Sequence, residues 1–479
     1  MIECDLFNLV SNKTMLYTIL KLVIKIAMKV YFRSIHVRNA EFVPTDVPLV
    51  IVANHPSSFM DPLVVGAFIR QKLYFITKGV MFNNKILRWI FNKMYMIPVY
   101  RPFETPELMY KNEATFKHCY NLLAKKRSII IFPEGISETV RRLRKFKTGP
   151  ARIALGAEKE NNFELKVAII PVGINYSNPH RFQSELFVNF SKPIDISQFF
   201  DLYKKDEFKA VKALTGHIKE RIAAHTIDIE NEALDELVKN IEVIYKSRLK
   251  KEFEISPDEK ERDYLLTKEI VEAVYHFHRQ DPKGVEKVKR KIQQYTDDLE
   301  KLELKDHLLK KASRKDSLLL YSLKTIVYLL LGFPFYLYGL INNYMPYKIP
   351  DFLANTLTKR EDFYGAITMT TGIFTFLFFY TIQIWLVALY IPLVIDSTWI
   401  FPGYPGWISI VYAISLPFSG FFTWHYWKWL IKIRRSWLFI SLFYRESTFI
   451  AKLIKQREEI IDSFKIAKDE YLEQKNIQV

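Results

Sequence analysis

The chain has 479 residues, which is more than one ordinary hydrophobic core holds, so two or more folded regions are expected. A formal net charge of +17 with 15% aromatic residues is typical of proteins that bind a membrane surface or a nucleic acid; long uncharged stretches between residues 326 and 424 favour a phospholipid membrane, so no nucleic-acid partner is expected. The two cysteines, Cys4 and Cys119, lack metal-ligand spacing, so neither a disulfide framework nor a metal site is supported.

Residues 1–34 are predicted to hold a basic amphipathic helix that lies in the membrane interface. Lys21, Lys25, Lys29 and Arg33 recur every four residues and form one basic stripe, with apolar side chains on the other side. The alternative is an ordinary amphipathic helix packed on its own domain. Acidic residues near the start argue against a signal peptide, so a reducing, cytoplasm-facing location is expected for the region that follows.

Residues 35–225 show the pattern of an α/β domain with a mostly buried mixed sheet flanked by helices. The predicted strands are 48–53, 73–77, 128–132, 167–172 and 186–190, and the predicted helices are 61–70, 82–93, 105–125 and 148–157. Residues that can carry chemistry fall at or just after the strand ends, where open α/β sheets bind ligands.

The rest of the chain is predicted to be helical. Residues 226–316 are rich in Lys and Glu and have two apolar helix seams, which predicts a charged helical hairpin that acts as a spacer. Residues 317–430 form an α-helical membrane region, and residues 431–479 form a basic cytoplasmic tail.

The membrane region is predicted to contain two spanning helices and one further apolar segment. The loop at 396–405 has no Lys or Arg, so the stretches on either side of it form an out-and-back hairpin. If the α/β domain is also cytoplasmic, the first apolar stretch cannot make a single crossing. It is expected to be re-entrant, a shallow hairpin, or an in-plane helix broken near Pro334.

His55 and Asp61 form the first candidate functional pair. Five residues separate them across a predicted strand-to-helix turn, so the carboxylate can fold back onto one imidazole nitrogen. That contact fixes the tautomer and leaves the other nitrogen to take a proton from a hydroxyl. In isolation, the same residues could be a turn residue and a helix N-cap.

Basic and polar residues follow the later predicted strands and suit an anionic ligand. A guanidinium such as that of Arg101 matches phosphate by bidentate bonding, although a solvated surface arginine is the alternative. Five basic residues between 141 and 147 form either a membrane-surface patch or a rim that gathers phosphates, with Lys147 nearest the ligand. The candidate substrate-binding residues are Arg101, Glu134, Gly135, Ser137, Lys147 and Lys78.

Four ordered blocks, 54–62, 97–101, 131–137 and 170–173, resemble the motifs of the glycerophosphate/lysophosphatidate acyltransferase superfamily. Most members have four residues between the His and the Asp of the first motif, whereas this chain has five. That spacing, with the C-terminal membrane region, is similar to the yeast-type glycerol-3-phosphate/dihydroxyacetone-phosphate acyltransferases and their bacterial relatives.

The resemblance implies an O-acyltransferase with no bound cofactor, which uses acyl-CoA or acyl-ACP as the acyl thioester donor. His55, oriented by Asp61, would deprotonate the acceptor hydroxyl, while Pro171 would shape the acyl pocket. Arg101, Glu134, Gly135 and Lys147 would hold the glycerol phosphate.

The expected acceptor hydroxyl is the sn-1 hydroxyl of glycerol 3-phosphate or dihydroxyacetone phosphate. Acylation of lysophosphatidate is the alternative reaction. A membrane lipid-binding scaffold is the alternative outside enzymes, and a transporter is disfavoured because the apolar stretches contain no acid or base to mark a pathway.

Overall fold

The computed structural model describes residues 2–102, 104–256, 259–309, 318–394, 406–445 and 447–475. The chain divides into two compact units. The first comprises Met1–Glu230 with Asp351–Ile373, and the second comprises Asn231–Pro350 with Phe374–Val479.

The first unit is built around one mixed sheet. Its strands are β1 Phe32–Arg38, β2 Leu49–Ala53, β3 Leu73–Lys78, β4 Met96–Val99, β5 Ser128–Ile131, β6 Ala168–Tyr176, β7 Ser184–Phe190 and β8 Ile194–Asp195. They lie in the order β1-β7-β6-β2-β5-β3-β4, with β8 beside β6. Strands β6 and β7 are antiparallel, as are β6 and β8, and the remaining pairs are parallel.

Helices cover both faces of this sheet. They are α1 Ile2–Tyr31, α2 Met60–Phe68, α3 Lys85–Lys93, α4 Lys111–Ala124, α5 Gly149–Glu160, α6 Phe200–Lys205 and α7 Glu207–Ala223. The central strand β2 is fully buried: Val50 and Val52 face the apolar layer with α4, α5 and α7, while Ile51 faces the layer with α1 and α2. The predicted mixed sheet flanked by helices is confirmed.

Two lysines of the predicted basic stripe on helix α1 lie against α2 of the same unit. Lys21 donates a hydrogen bond from Nζ to the Ile69 carbonyl, and the Lys25 ammonium lies over the Phe68 ring, so both point at α2. Arg33 lies beyond the end of α1, in β1, where it pairs with Glu185 at 2.6 Å. The exposed side chains of α1 include an apolar row at Met15, Ile19, Leu22, Ile26 and Val30.

The second unit consists of helices in its described part. They are α8 Glu232–Ile244, α9 Lys246–Glu252, α10 Lys260–Gln280, α11 Pro282–Lys301, α12 Asp306–Leu309, α13 Leu318–Leu357, α14 Glu361–Val394, α15 Gly406–Arg445 and α16 Ser447–Lys475. Helix α14 begins in the residues that belong to the first unit. The two predicted apolar seams lie on α8 and α11, each of which packs against α10, and α11 also packs against α16.

Three helices in the described part are long and apolar enough to cross a membrane: Thr325–Leu357, Glu361–Tyr390 and Gly406–Trp437. The break expected near Pro334 is wrong, because α13 is one continuous helix with Pro334, Pro346 and Pro350 inside it. Proline removes one backbone donor at each position, but the turns on either side keep their own hydrogen bonds. The predicted outside loop at 396–405 lies outside the described residues.

Candidate active site

The carboxyl ends of four neighbouring parallel strands meet at one edge of the sheet. Strands β2, β5, β3 and β4 lie side by side in that order. His55 follows β2, Glu134 follows β5, Lys78 ends β3 and Arg101 follows β4. Parallel pairing therefore brings together residues that the sequence places up to 79 positions apart.

His55 and Asp61 are in direct contact. The His55 Nδ1 atom lies 2.8 Å from Asp61 Oδ2. The Asp61 side chain is fully buried in the first turn of α2, whereas 18% of the His55 side chain is exposed. Because an ionised carboxylate only accepts hydrogen bonds, the Nδ1 atom carries the hydrogen, and Nε2 is left to accept a proton.

Two further donors hold the Asp61 carboxylate. The Ser57 backbone N–H donates to Oδ2 at 2.8 Å, and the Tyr176 hydroxyl donates to Oδ1 at 2.8 Å. Burial raises the pKa of Tyr176 well above its ordinary value, and the neighbouring Asp61 charge raises it further, so Tyr176 stays a donor. Donors on both oxygens therefore satisfy the buried carboxylate and fix its orientation.

The plane of the His55 ring is fixed by an aromatic neighbour. The Phe132 ring stacks on it with centroids 4.2 Å apart and an interplanar angle of 20°. Phe132 directly follows β5, and Tyr176 ends β6, so both reach the His55–Asp61 pair through the sheet. Neither residue is predicted from the sequence, since the only local signal of each is an aromatic side chain at a strand end.

Glu134 is directed at backbone groups. Its Oε1 atom accepts from His55 N–H at 2.9 Å, and its Oε2 atom accepts from Arg144 N–H at 3.4 Å. Burial raises the pKa of Glu134, and these two N–H groups oppose that rise. In this geometry, Glu134 ties the loop after β5 to the residue that carries the imidazole.

Gly135 and Lys147 lie next to each other at the turn after β5. Gly135 has φ +76°, a left-handed conformation that suits glycine, and its N–H donates to Phe132 O at 3.2 Å. The Lys147 N–H donates to Pro133 O at 2.7 Å, and the aliphatic part of its side chain passes over Gly135. Lys147 is exposed and lies two residues before α5 begins at Gly149.

Lys78 and Arg101 converge on one carboxylate. The Lys78 Nζ atom lies 2.8 Å from Glu104 Oε1, and the Arg101 Nη1 atom lies 3.2 Å from the same oxygen. Burial tends to raise the pKa of Glu104, but the two cations outweigh it and hold that pKa below its ordinary value. Two predicted cations thus form one anion-binding cluster, although Glu104 itself was not predicted.

Ser137 and Pro171 are placed differently from the prediction. The Ser137 hydroxyl donates to Asp362 Oδ2, and the Arg360 Nη2 atom donates to Ser137 O at 3.2 Å, so a segment far along the chain covers Ser137. Pro171 lies within β6 opposite Val52 of β2, in the buried middle of the sheet. The Ser137 hydroxyl is therefore bound to Asp362, and Pro171 is part of the buried sheet.

An apolar groove of about 80 Å³ runs beside α2 in the first unit. Residues of α1, α2, β3 and the end of α3 form its walls: Tyr17, Leu20, Lys21, Ile24, Pro62, Leu63, Gly66, Ala67, Phe75, Lys93 and Met94. Helix α2 carries Asp61 in its first turn, so the groove follows the helix that begins at the His55–Asp61 pair. Within the described residues, no group of three or more metal-ligating side chains comes together.

An imidazole–carboxylate pair at the carboxyl edge of an α/β sheet has the geometry of a general base with its orienting partner. Residues 34–175 match the family model described as Acyltransferase. This segment is an acyltransferase domain of the glycerophosphate/lysophosphatidate acyltransferase superfamily.

Individual proteins with similar sequences are also named as acyltransferases. The chain is 30% identical over 200 residues to glycerol-3-phosphate O-acyltransferase 1 of Saccharomyces cerevisiae, covering 41% of this chain and 25% of the yeast protein. It is 29% identical over 142 residues to a chloroplastic 1-acyl-sn-glycerol-3-phosphate acyltransferase of Arabidopsis thaliana, covering 29% of this chain and 36% of the plant protein. The chain therefore spans about a quarter to a third of the length of these relatives.

Among solved structures, the 1-acyl-sn-glycerophosphate acyltransferase of Thermotoga maritima aligns with a TM-score of 0.33 and 18% identity. The alignment covers 44% of this chain and 78% of that protein.

Proposed function

We propose that the chain is a membrane-bound O-acyltransferase that moves a fatty acyl group from acyl-CoA or acyl-ACP to the sn-1 hydroxyl of glycerol 3-phosphate or dihydroxyacetone phosphate. The observation that carries this proposal is the 2.8 Å contact between His55 Nδ1 and Asp61 Oδ2, which leaves Nε2 open at the sheet edge where Lys78 and Arg101 also lie.

In the proposed reaction, His55 Nε2 accepts the proton of the acceptor hydroxyl as its oxygen attacks the thioester carbonyl. The tetrahedral intermediate then collapses, the carbon–sulfur bond breaks, and the imidazolium returns the proton to the leaving thiolate. Asp61 stabilises the transient positive charge on the imidazole through its hydrogen bond to Nδ1. The ester forms in one addition and one elimination, so no acyl-enzyme is required.

The phosphate of the acceptor would bind the cations at the same sheet edge. Arg101 and Lys78 already share one anionic partner, Glu104, and Lys147 extends from the turn at Glu134 and Gly135. A phosphate has the charge to replace a single carboxylate between two cations. Glu134 and Gly135 would act by shaping this turn, since the Glu134 oxygens accept from backbone N–H groups.

The acyl chain would lie in the apolar groove along α2. Burying a chain there is favourable by about 0.8 kcal/mol for each methylene removed from water. The exposed apolar row on α1, which includes Ile19, Leu22 and Ile26, would face the lipid and deliver the groove to the membrane surface.

Lysophosphatidate is the second candidate acceptor, favoured by the plant relative that is named for 1-acyl-sn-glycerol-3-phosphate. A non-catalytic lipid-binding scaffold is less well supported, because it has no use for a buried carboxylate with three donors aligned on it.

A single assay tests the proposal. The full chain in lipid nanodiscs is given labelled acyl-CoA or acyl-ACP with glycerol 3-phosphate, dihydroxyacetone phosphate or lysophosphatidate in parallel. Transfer to one of the first two acceptors is expected, and preferred transfer to lysophosphatidate would favour the second candidate. His55→Ala should abolish transfer while His118→Ala, on the exposed side of α4, retains it; transfer by the His55 variant would overturn the mechanism.

We further propose that the acyltransferase domain faces the cytoplasm and that α13 makes no single crossing. Arg360 donates to Ser137 O, so the start of α14 lies on the same side of the membrane as the acyltransferase domain. Helix α13 is the candidate span between residues 230 and 360 in the described part, so a single crossing by α13 would place the start of α14 on the other side. Helix α13 packs along α15, where the Tyr426 hydroxyl donates to Leu329 O. That packing favours the alternative topology, in which α13 crosses the membrane once. Labelling of single cysteines at 348–360 only from outside would refute our proposal.

A further inference from the structure

The first turns of α14 pack onto the loops that surround His55, although about 300 residues separate them in the chain. Phe363 meets the Phe59 ring edge-on at 5.3 Å, and Phe59 lies between His55 and Asp61. Gly365 lies so close to the Pro179 carbonyl that a β-carbon there would collide with the oxygen. Helix α14 therefore begins as part of the site.

Arg360 is held rigidly at this contact. Its Nε and Nη2 atoms lie 3.0 and 2.8 Å from the two oxygens of Asp362, whose side chain is only 7% exposed. Its Nη2 atom also donates to Ser137 O at 3.2 Å, and its guanidinium lies 4.6 Å from the centroid of the Phe363 ring. A bidentate carboxylate, a carbonyl and an aromatic face fix the guanidinium plane, while half of the side chain stays exposed.

This guanidinium lies close to the proposed base and to the anion-binding cluster. Ser137 precedes Glu138, whose N–H donates to His55 O at 3.3 Å, so Arg360 contacts the residue next to the His55 backbone. Burial lowers the pKa of Arg101, the Glu104 carboxylate opposes that fall, and the positive charge of Arg360 adds a smaller lowering effect. Arg101 is paired with Glu104 and Arg360 with Asp362, so a phosphate at this edge would be a second anionic partner for each guanidinium.

We propose that Arg360 binds the phosphate of the acyl acceptor together with Arg101, with Asp362 as its positioning residue. The inference rests on the proposed function and adds to it a ligand from the helix that continues into the apolar region. The acceptor site is then incomplete in the segment 35–225 alone, because one of its cations comes from α14.

The test separates the acceptor from the acyl donor. Arg360→Gln is compared with Lys359→Gln, which removes a neighbouring exposed positive charge, in the full chain in nanodiscs. The Arg360 variant should raise the acceptor KM by about 10- to 100-fold, as expected for loss of hydrogen bonds to a charged group. The KM for acyl-CoA should stay unchanged, and inhibition by inorganic phosphate should weaken by the same factor as the acceptor KM rises.

Two further variants keep the inference falsifiable if Arg360→Gln does not fold. Arg360→Lys should recover part of the lost acceptor affinity, because it restores the charge without the bidentate fork. Asp362→Asn should raise the acceptor KM less than Arg360→Gln, and the double variant should do no more than Arg360→Gln alone.

Equal acceptor KM values for Arg360→Gln and Lys359→Gln would overturn the inference. So would a loss of thermal stability with equal changes in both KM values, which would make Arg360 a structural clamp only. If the parent chain transfers acyl groups to no phosphorylated acceptor, the proposed function fails instead.

Discussion

Tyr176→Phe tests how the structure holds the Asp61 carboxylate in its orientation. The Tyr176 hydroxyl is 2.8 Å from Asp61 Oδ1, and the Asp61 side chain is fully buried, so water cannot replace the lost donor. Removing a hydrogen bond to a buried charged group costs about 1.5–3 kcal/mol. If the whole cost fell on the transition state, kcat would drop by about 10- to 100-fold, which sets the upper range of the effect.

A matched variant separates stability from catalysis. Tyr295, on α11, is also buried and donates to a buried carboxylate, Asp306 Oδ1, at 2.8 Å. Tyr295→Phe should therefore lose a similar amount of stability in thermal unfolding, because the chemistry removed is the same. Its kcat should stay at the parent value, since the proposed catalytic groups all lie in the first unit.

Kinetic and unfolding measurements on both variants decide the question. We expect Tyr176→Phe to lower kcat and to leave the acceptor KM nearly unchanged, since Asp61 acts through His55 and touches no substrate. A Tyr176 variant with parental kcat and a stability loss equal to that of Tyr295→Phe would refute the reasoning.

Three further predictions concern other carboxyl and thiol groups. Glu104→Gln releases two cations from their carboxylate and should lower the acceptor KM by up to about fivefold, the range for a partly exposed ion pair; an increase in steady-state KM would contradict this. Burial raises the pKa of Glu134, so the contribution of Glu134 to stability is complete below about pH 4.5 and is lost as the pH rises through the raised pKa. Glu134→Gln should therefore be thermally more stable than the parent at neutral pH but not at acidic pH. A stability difference that does not change with pH would contradict this prediction. Burial raises the pKa of Cys119 to about 12, so in a Cys4→Ser background maleimide should label the folded protein about 10³-fold more slowly than the urea-unfolded protein, whereas equal rates would disprove this burial.

The sequence predicts the parts of the fold that depend on local pattern. Runs of buried β-branched residues locate β2 and β5, and the short spacing of His55 and Asp61 predicts their contact, because one strand-to-helix turn contains both. Strand β4 was missed, since four residues that include Pro98 give little strand signal. Strand β1 was missed because Arg33 continues the four-residue basic spacing of the preceding helix.

The other missed residues depend on contacts that local pattern does not encode. Tyr176 reaches Asp61 only through the pairing of β6 with β2, a register that joins segments about 120 residues apart. Arg360 and Asp362 reach Ser137 across more than 220 residues, from a stretch whose own composition indicates a membrane helix. Charged residues are common at the ends of helices, so these two residues at the start of α14 give no sequence signal of a site.

The five-residue spacing between His55 and Asp61 acquires a specific physical meaning in this geometry. The turn accommodates its length because Ser58 adopts a left-handed conformation with φ +35°, and Met60 N–H closes the turn on Ser57 O at 2.8 Å. Asp61 still returns to the imidazole at 2.8 Å, so the spacing leaves the base and its partner undisturbed. The turn instead presents Phe59 to Phe363 at the foot of α14. The five-residue spacing should therefore affect acceptor preference through the contact between Phe59 and Phe363, which places Arg360 at the site.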